Sequence, residues 1–410
     1  MAIAASFVLP VALLFGGCGG SSGPVTLNYY VFSEPSGSFA QAVSDCTKGS
    51  GGRYRIVYNL LPQDASAQRQ QLVRRLAAHD SAIDIIGMDV DWTAEFADAG
   101  WIRPWTASIA KQVSNGVLPG PLATATYNGK LYGAPLNSNT QLLWYRKDLV
   151  PTPPTTWSQM IQDAVNLAKQ GKAHYIEEQG AQYEGYVVWF NSLVDSAGGQ
   201  ILNGNKVALG PPADQAASVI HELANSPAAD PSLSNSKEDQ ARLAFEGGTA
   251  AFEINYPFVW PSAQKDAPKI AKVMGYAPFP RVNPNQPAHV SIGGINLGVS
   301  AYSLHPTEAF EAAACMANAQ HQKIDAIKGG LPPTIGSLYD DPSLAKPYPF
   351  HALIKQQLTN YGIRPKTPAY SDVSLAIQKT LSPPKSVSPS TAVKTLTNEI
   401  NSALSSGALL

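Results

Sequence analysis

The feature that most restricts the fold is an alternation that begins at Val25. A strand-like run, VTLNYYVF, is followed by a helical stretch near Ser38 to Thr47 and by a second strand-like run, RYRIVYNLL. Next, SAQRQQLVRRLAAHD puts Leu72, Val73, Leu76 and Ala77 on one helical face, and AIDIIGMD is a short apolar strand between polar residues. A helix reads over WTAEFADA, with Asp91 placed to cap it and Gly100 to end it. Strands alternating with helices specify an α/β layer with a largely parallel sheet, and such sheets gather ligands at the carboxyl ends of their strands. Those ends carry Ser33-Glu34-Pro35-Ser36-Gly37 after the first strand and Asp89 after the third.

Further along, NGKLYGAPLNSNTQLLWYRKDL reads as a tight turn, a strand from Tyr132 to Leu136, a polar break at Asn137-Ser138-Asn139-Thr140, and another strand. PTPPTTWSQMIQDAVNLAKQGK starts a helix after prolines and closes it before Gly171, and from there to about Asp230 the pattern is mainly helical. The stretch FEGGTAAFEINYPFVW, Phe245 to Trp260, sets five aromatic rings around two glycines, two glutamates, an asparagine and a proline. Gly247 and Gly248 interrupt it and Pro257 ends it, so the chain turns sharply on both sides and can present rings beside amides and carboxylates. There is no internal repeat; the biased segments are an N-terminal Gly/Ser linker and a Ser/Pro stretch from Leu381 to Ser390.

At 410 residues, 44% hydrophobic and 14% charged, the chain is globular and long enough for two lobes. Its net charge of -1 comes from 29 basic and 30 acidic residues with no long run of either sign, which excludes a nucleic-acid-binding surface and points to a neutral partner. The N-terminus, MAIAASFVLPVALLFGGCGGSSGP, reads as an export signal: its apolar run is too short to span a bilayer comfortably and holds Pro10. Cys18, after small residues at the end of that run, is the expected lipidation site; a soluble secreted protein or an uncleaved anchor is the alternative. With Cys18 lipidated, Cys46 and Cys315 are the two remaining thiols, and an oxidising compartment favours pairing them over two unpaired buried thiols.

Several blocks together resemble the extracellular solute-binding proteins of ABC importers, in the sugar-binding group. They are AIDIIGMDVDWTAEFADAGWIRPW, YNGKLYGAPLNSNTQLLWYRKDLV, PPTTWSQMIQDA, ARLAFEGGTAAFEINYPFVW and HVSIGGINLGVSAYSLHPTEAFEAAACM, with GGLPP behind it. Within that group, DVDWTAEFADAGW, LPGPLATA, NTQLLWYR, YEGYVVWFNSLV and QQLTNYGIRPKTPAY are most similar to trehalose-binding lipoproteins, although only a short connector joins Trp260 to Tyr276 where those have a long insertion. The resemblance implies a two-lobe α/β fold, each lobe a mainly parallel sheet flanked by helices, with ligand in the interlobe cleft. It divides the chain into a signal and linker (1–23), lobe I (24–138 plus 290–340) and lobe II (139–289 plus 341–410), with Cys46 and Cys315 both in lobe I. It further implies a disaccharide ligand, trehalose ahead of a maltose-type sugar, and permease transmembrane subunits as partners. A monomer is implied too, held by lipid on the outer face of the cytoplasmic membrane, without metal or cofactor.

A disaccharide presents flat C–H faces and a ring of hydroxyls, so its site needs aromatic platforms and fixed polar groups. Asp89 ends a strand, and Asp91 is the better cap, which leaves Asp89 for a hydroxyl. Glu34 lies on a Pro/Gly/Ser loop and is a ligand acceptor or a plain loop carboxylate. Asn139 is a turn former or, by the family match at NTQLLWYR, a ligand donor. Glu238 is a solvated first-turn residue or, by its match to a ligand-contacting glutamate, an acceptor. Phe252 and Phe258 are assigned to core, and Tyr256, between Asn255 and Pro257, to the sugar; Trp189 and Trp260 are platforms or core. Gly293 and Gly294 either bring backbone amides to the ligand or form a bulge. Arg364, fixed between Gly362 and Pro365, forks onto hydroxyls or makes a surface ion pair. A glycoside hydrolase would need paired carboxylates about 5 to 10 Å apart, for which Asp89 with Glu238 or Glu34 are candidates. No H-E-x-x-H, phosphate loop or Cys-x-x-Cys accompanies them. A binder of a non-sugar solute, such as a polyamine or phosphorylated polyol, is the other alternative.

Overall fold

The computed structural model describes residues 23–405. Cys18, the expected lipidation site, and the signal around it lie outside the described residues. Nine strands form two main sheets: β1 (Val25–Phe32), β2 (Tyr54–Leu61), β3 (Ile85–Asp89), β4 (Ala134–Asn139), β5 (Leu142–Arg146), β6 (Tyr175–Glu177), β7 (Ala250–Asn255), β8 (Met274–Ala277) and β9 (Gly293–Val299). The first sheet has the order β2-β1-β3-β9-β4 and the second β8-β5-β7-β6.

The expected parallel run is present in β2-β1-β3: the helices after β1 and β2 carry the chain back to the end where those strands began, so that β2 and β3 flank β1 in parallel. β9 comes back from the other sheet and runs antiparallel to both β3 and β4. In the second sheet β7 pairs parallel with β6, but antiparallel with β5, which in turn pairs antiparallel with β8. Each sheet therefore runs mainly in one direction, as expected, with a single reversed strand: β9 in the first and β5 in the second.

Alternation along the strands sets the layers. Leu27, Tyr29 and Val31 face the helices Ser38–Gly49 and Pro306–Met316, while Ile86 and Met88 meet Leu72, Leu76, Phe96 and Trp101 on the opposite face. In β5, Leu143 and Tyr145 join Trp157, Trp189 and Phe252 in one core, and Leu142 and Trp144 join Phe245, Tyr348 and Phe350 in another. Burying side chains of this size stabilises by about 1.5–3 kcal/mol each, which is why both faces of both sheets are covered by helices. A disulfide joins Cys46 to Cys315 with their Cα atoms 5.9 Å apart, linking two helices packed on the same face of the first sheet.

Two readings of local structure shift. The polar break expected at Asn137 to Thr140 falls later: β4 runs through Asn139, because Asn137 and Ser138 pair with Ile295 and Gly294 of β9. The stretch from Gly171 to Asp230 holds the helices Glu184–Ser196 and Pro211–Ala224, but also β6, a three-residue strand that periodicity does not resolve.

The chain passes between the sheets at Thr140–Gln141, and again before β9, where Ser291 pairs with Gly362. Gln357 Nε2 donates to Thr140 Oγ1 at 2.8 Å and to the Gln141 carbonyl at 2.9 Å. The helix Glu184–Ser196 backs these crossings: Asn191 Nδ2 donates to Ser291 Oγ at 2.8 Å and to Asp195 at 2.9 Å.

Candidate functional site

Arg364 lies two residues past Gly362, in the strip where the crossings run side by side, and is 4% exposed. Its guanidinium reaches carboxylates attached to both sheets. Nη2 donates to Asp89 Oδ1 at 3.0 Å, and Nη1 donates to Glu184 Oε1 at 2.7 Å and lies 3.3 Å from Asp91 Oδ2. Asp89 ends β3 and Asp91 follows it; Glu184 begins the helix behind the crossings, where Tyr370 and Ser374 also donate hydroxyls to it. Burial opposes the charge on Arg364, but Asp91, Asp89, Tyr370 and Glu184 hold it protonated well above its usual range. Burial pushes Asp91 well above the ordinary carboxylate range, with Arg364 pulling it back and Asp89 and Glu184 pushing it further. A cavity of about 20 Å³ is lined by Asp91, Thr93, Thr124 and Arg364 among others, a volume of about one water.

Asp91 therefore does not cap the next helix. That helix, Thr93–Asp98, starts from Trp92 without a side-chain cap, and Asp91 is turned inward to Arg364. A buried guanidinium needs its countercharges more than a helix start needs a side-chain cap, so the distant partner wins.

A second group surrounds Tyr256, which follows β7. Burial raises the Tyr256 hydroxyl pKa, the charges of Glu238, Asp89 and Glu178 raise it further, and Arg364 opposes them. The structure thus brings Asp89, Glu238, Tyr256 and Arg364, four residues spread over 275 positions, into one electrostatic neighbourhood. Glu178, fully buried just past β6, joins them: its backbone neighbour Gln179 N donates to Oε1 at 2.9 Å, while Oε2 has no partner. Burial, with Glu253 and Glu238 nearby, pushes Glu178 well above the usual range. Tyr183 stands beside Glu238: burial and the Glu238 charge raise the Tyr183 hydroxyl, and burial raises Glu238 while Tyr183 pulls it back. Opposite these, Lys237 Nζ pairs with Asp64 Oδ2 at 2.7 Å.

The remaining candidates are placed differently. Glu34 is spent locally: Oε1 accepts from Ser36 N at 2.8 Å, and Oε2 accepts from Ser38 N at 2.8 Å and from both serine hydroxyls, so it closes the start of the helix Ser38–Gly49. Asn255 is fully buried; its Nδ2 donates to the Glu238 carbonyl at 2.9 Å and to Glu253, and its Oδ1 accepts from Tyr256 N at 2.9 Å. It holds Tyr256 and Glu238 rather than facing outward. Gly294, with φ +125°, pairs with Ser138 just before the register shift between Ile295 and Asn296, and a Cβ there would lie 2.2 Å from the Asn137 carbonyl oxygen. Gly293 pairs with Asn139, whose side-chain amide makes no hydrogen bond among the described residues. Trp189 and Phe252 are fully buried core; Trp260 and Phe258 are partly buried against the core, with Trp260 stacked on Trp144.

Sequence reasoning passed over Asp91, Glu178, Tyr183 and Glu184. The last three flank a helix start just past the strand that was not read, and the acidic residues of Glu177-Glu178 and Glu184 beside Tyr183 were the available signal.

Two helix-flanked mixed sheets, joined by crossing segments with a polar and aromatic cluster between them, define a two-lobed, maltose-binding-protein-like ligand-binding fold. The chain belongs to the bacterial extracellular solute-binding protein family, whose model matches residues 36–323. A probable ABC transporter-binding protein of Deinococcus radiodurans is 29% identical over 392 residues, 88% of this chain and 91% of that one. A mannitol-binding protein of Pseudomonas aeruginosa is 25% identical over 114 residues, 26% of each chain. Maltose-bound T. maritima MalE3 superimposes with a TM-score of 0.83 at 26% identity, covering 92% of this chain and 99% of that chain. The GacH receptor of Streptomyces glaucescens shares the fold, with a TM-score of 0.81 at 22% identity, covering 93% of this chain and 99% of that chain. Among the described residues no helix is long and apolar enough to cross a membrane.

Proposed function

We propose that this protein is the substrate-binding component of an ABC sugar importer, that it holds a disaccharide between its lobes, and that it hands the sugar unchanged to permease subunits. Trehalose is the first choice of ligand and a maltose-type sugar the second. The supporting observation is that Arg364, hydrogen-bonded to Asp89 from the other sheet, shares the surroundings of the Tyr256 hydroxyl with Glu238 and with Glu178, whose buried Oε2 has no partner. Acceptors buried without partners suit the hydroxyls of a neutral sugar, because leaving such a group unpaired costs about 1–3 kcal/mol. Tyr256, and Tyr183 beside Glu238, are the rings assigned to its C–H faces. Asn139 offers its free amide at the first crossing, Asn255, Gly293 and Gly294 support the site from behind, and Glu34 holds the loop after β1.

In this reading lobe I comprises 24–138 plus 290–340, and lobe II 139–289 plus 341–410. Contacts made by both lobes favour a closed form that the permease recognises. Lipid on Cys18 would hold the protein, as a monomer, on the outer face of the cytoplasmic membrane. A linear polyol is the second reading, favoured by the partial match to a mannitol-binding protein.

A thermal-shift panel of trehalose, maltose, cellobiose, sucrose, mannitol, glycerol phosphate and a polyamine tests the assignment. Trehalose should raise the melting temperature most. A response to glycerol phosphate or the polyamine alone would replace the sugar reading, and cleaved product after long incubation would replace binding by hydrolysis.

A further inference from the structure

Lys237 occupies a position that binding of a sugar does not by itself require. It immediately precedes the helix Glu238–Glu246, which packs on β7 of the second sheet. Its ammonium pairs with Asp64 Oδ2 at 2.7 Å, and Asp64 belongs to the other lobe: its Oδ1 accepts from Ala67 N at 3.0 Å and caps the helix Ala65–Ala77, whose Leu72 and Leu76 pack beneath the first sheet. The same ammonium stands 4.8 Å from the centre of the Tyr183 ring. Tyr183 is in turn fixed to the Lys237 loop, since Ala181 N donates to the Ser236 carbonyl at 3.1 Å. One side chain thus touches a ring of the candidate site on one side and the opposite lobe on the other.

We propose that Lys237 is a positioning residue that couples an occupied site to closure, its ammonium clamped between the Tyr183 ring and Asp64 as a latch between the lobes. This rests on the hinge-closure reading given above. A sugar that settles on Tyr183 and Glu238 holds the ring where the ammonium meets it, and an ammonium held there is aimed at Asp64. The ring attracts the cation through its quadrupole and the carboxylate attracts it through charge, so each contact lowers the entropy lost in making the other. Both ends are partly exposed, with 41% of the Lys237 side chain and 30% of the Asp64 side chain open, so the latch is screened by salt and has the modest strength of a surface pair. A weak latch suits a receptor that must reopen to release its cargo.

The test uses the mature protein with trehalose and maltose as probes. Lys237→Met keeps the apolar stem, Asp64→Asn keeps the helix cap, and the double variant completes a cycle. Calorimetric titration at low and high salt, with small-angle scattering before and after sugar, reads affinity and compaction separately. Each single variant should bind the sugar about fivefold more weakly at low salt, as expected for a surface pair with a cation–π contact. Each should also lose the salt dependence expected of the wild type, and the double variant should bind no more weakly than Lys237→Met. Sugar affinity and salt dependence unchanged in both single variants, or losses that add fully in the double, overturn the latch while leaving sugar binding intact. Binding by the wild type without compaction overturns the latch and hinge closure together. Failure of both sugars to bind at all overturns the reading on which the latch rests.

Discussion

Tyr256 and Arg364 sit in the same neighbourhood but are held by different physics, and their variants should separate. Tyr256 is fixed by its backbone: Asn255 Oδ1 accepts its N–H at 2.9 Å, and Pro257 follows. Removing the ring in Tyr256→Ala leaves those supports in place and should weaken sugar binding about tenfold, the loss of one stacked platform and its buried area, with a near-normal unfolding transition. Titration calorimetry near wild-type values would remove Tyr256 from the site. Arg364 is buried among Asp89, Asp91 and Glu184, so Arg364→Ala strands three carboxylates and should destabilise the fold by about 3–5 kcal/mol, measured by urea unfolding without sugar. An unchanged urea midpoint would mean that the three carboxylates find other partners. Some of these residues were legible in the sequence and others were not. Asp89 and Tyr256 stand next to turn-forming residues that mark strand ends, whereas Asp91 follows a local capping rule that a guanidinium far along the chain overrides.

Among the elements, β6 and β7 matter most for the second lobe, and their parallel register sets Glu177 beside Glu253. Burial, the charge of Asp230 and that of Glu253 push Glu177 to about 9; burial pushes Glu253 to about 8, where Asn255 and Arg242 pull it down and Glu246 pushes it up. Both pKa values are raised above the unfolded carboxylate's, so the native state keeps protons that the unfolded chain releases. The resulting stability is fully present below the unfolded value of 4.5 and is lost as pH climbs to about 8 and 9. Melting temperature should therefore fall across that window, and Glu253→Gln, which keeps an acceptor for Asn255 but cannot ionise, should flatten the fall. Identical slopes for wild type and variant would show that Glu253 does not carry the effect. In β9, Gly294→Ala meets both a positive φ and the Asn137 carbonyl oxygen, and should cost at least 2 kcal/mol or so in denaturant unfolding. A smaller loss would mean that β4 yields. Of these elements, β1, β3 and the helices between them were visible in the periodicity. β6 was not, because three residues complete barely more than one period of alternation.

For the molecule as a whole, the proposed closure of one lobe on the other about the crossings makes a ligand that touches both lobes favour the closed form. Saturating trehalose should reduce the radius of gyration by scattering. At about a hundred times its dissociation constant it should also add about 2.7 kcal/mol to unfolding stability. Stabilisation without compaction would place the sugar on one lobe alone.

The α/β alternation, the strand ends that bear Asp89 and Tyr256, the interior position of Phe252 and the family were all legible in the chain before it folds. All of these follow from short-range pattern, which a chain records directly. Tertiary structure alone decided that Glu34 and Asn255 serve their own neighbours, that Asp91 and Glu184 clasp Arg364, that Glu178 stands buried and unpaired, and that Lys237 meets Asp64. Those outcomes depend on which distant charge shares a low-dielectric space with which other, and that is fixed only when separate segments close around the same place.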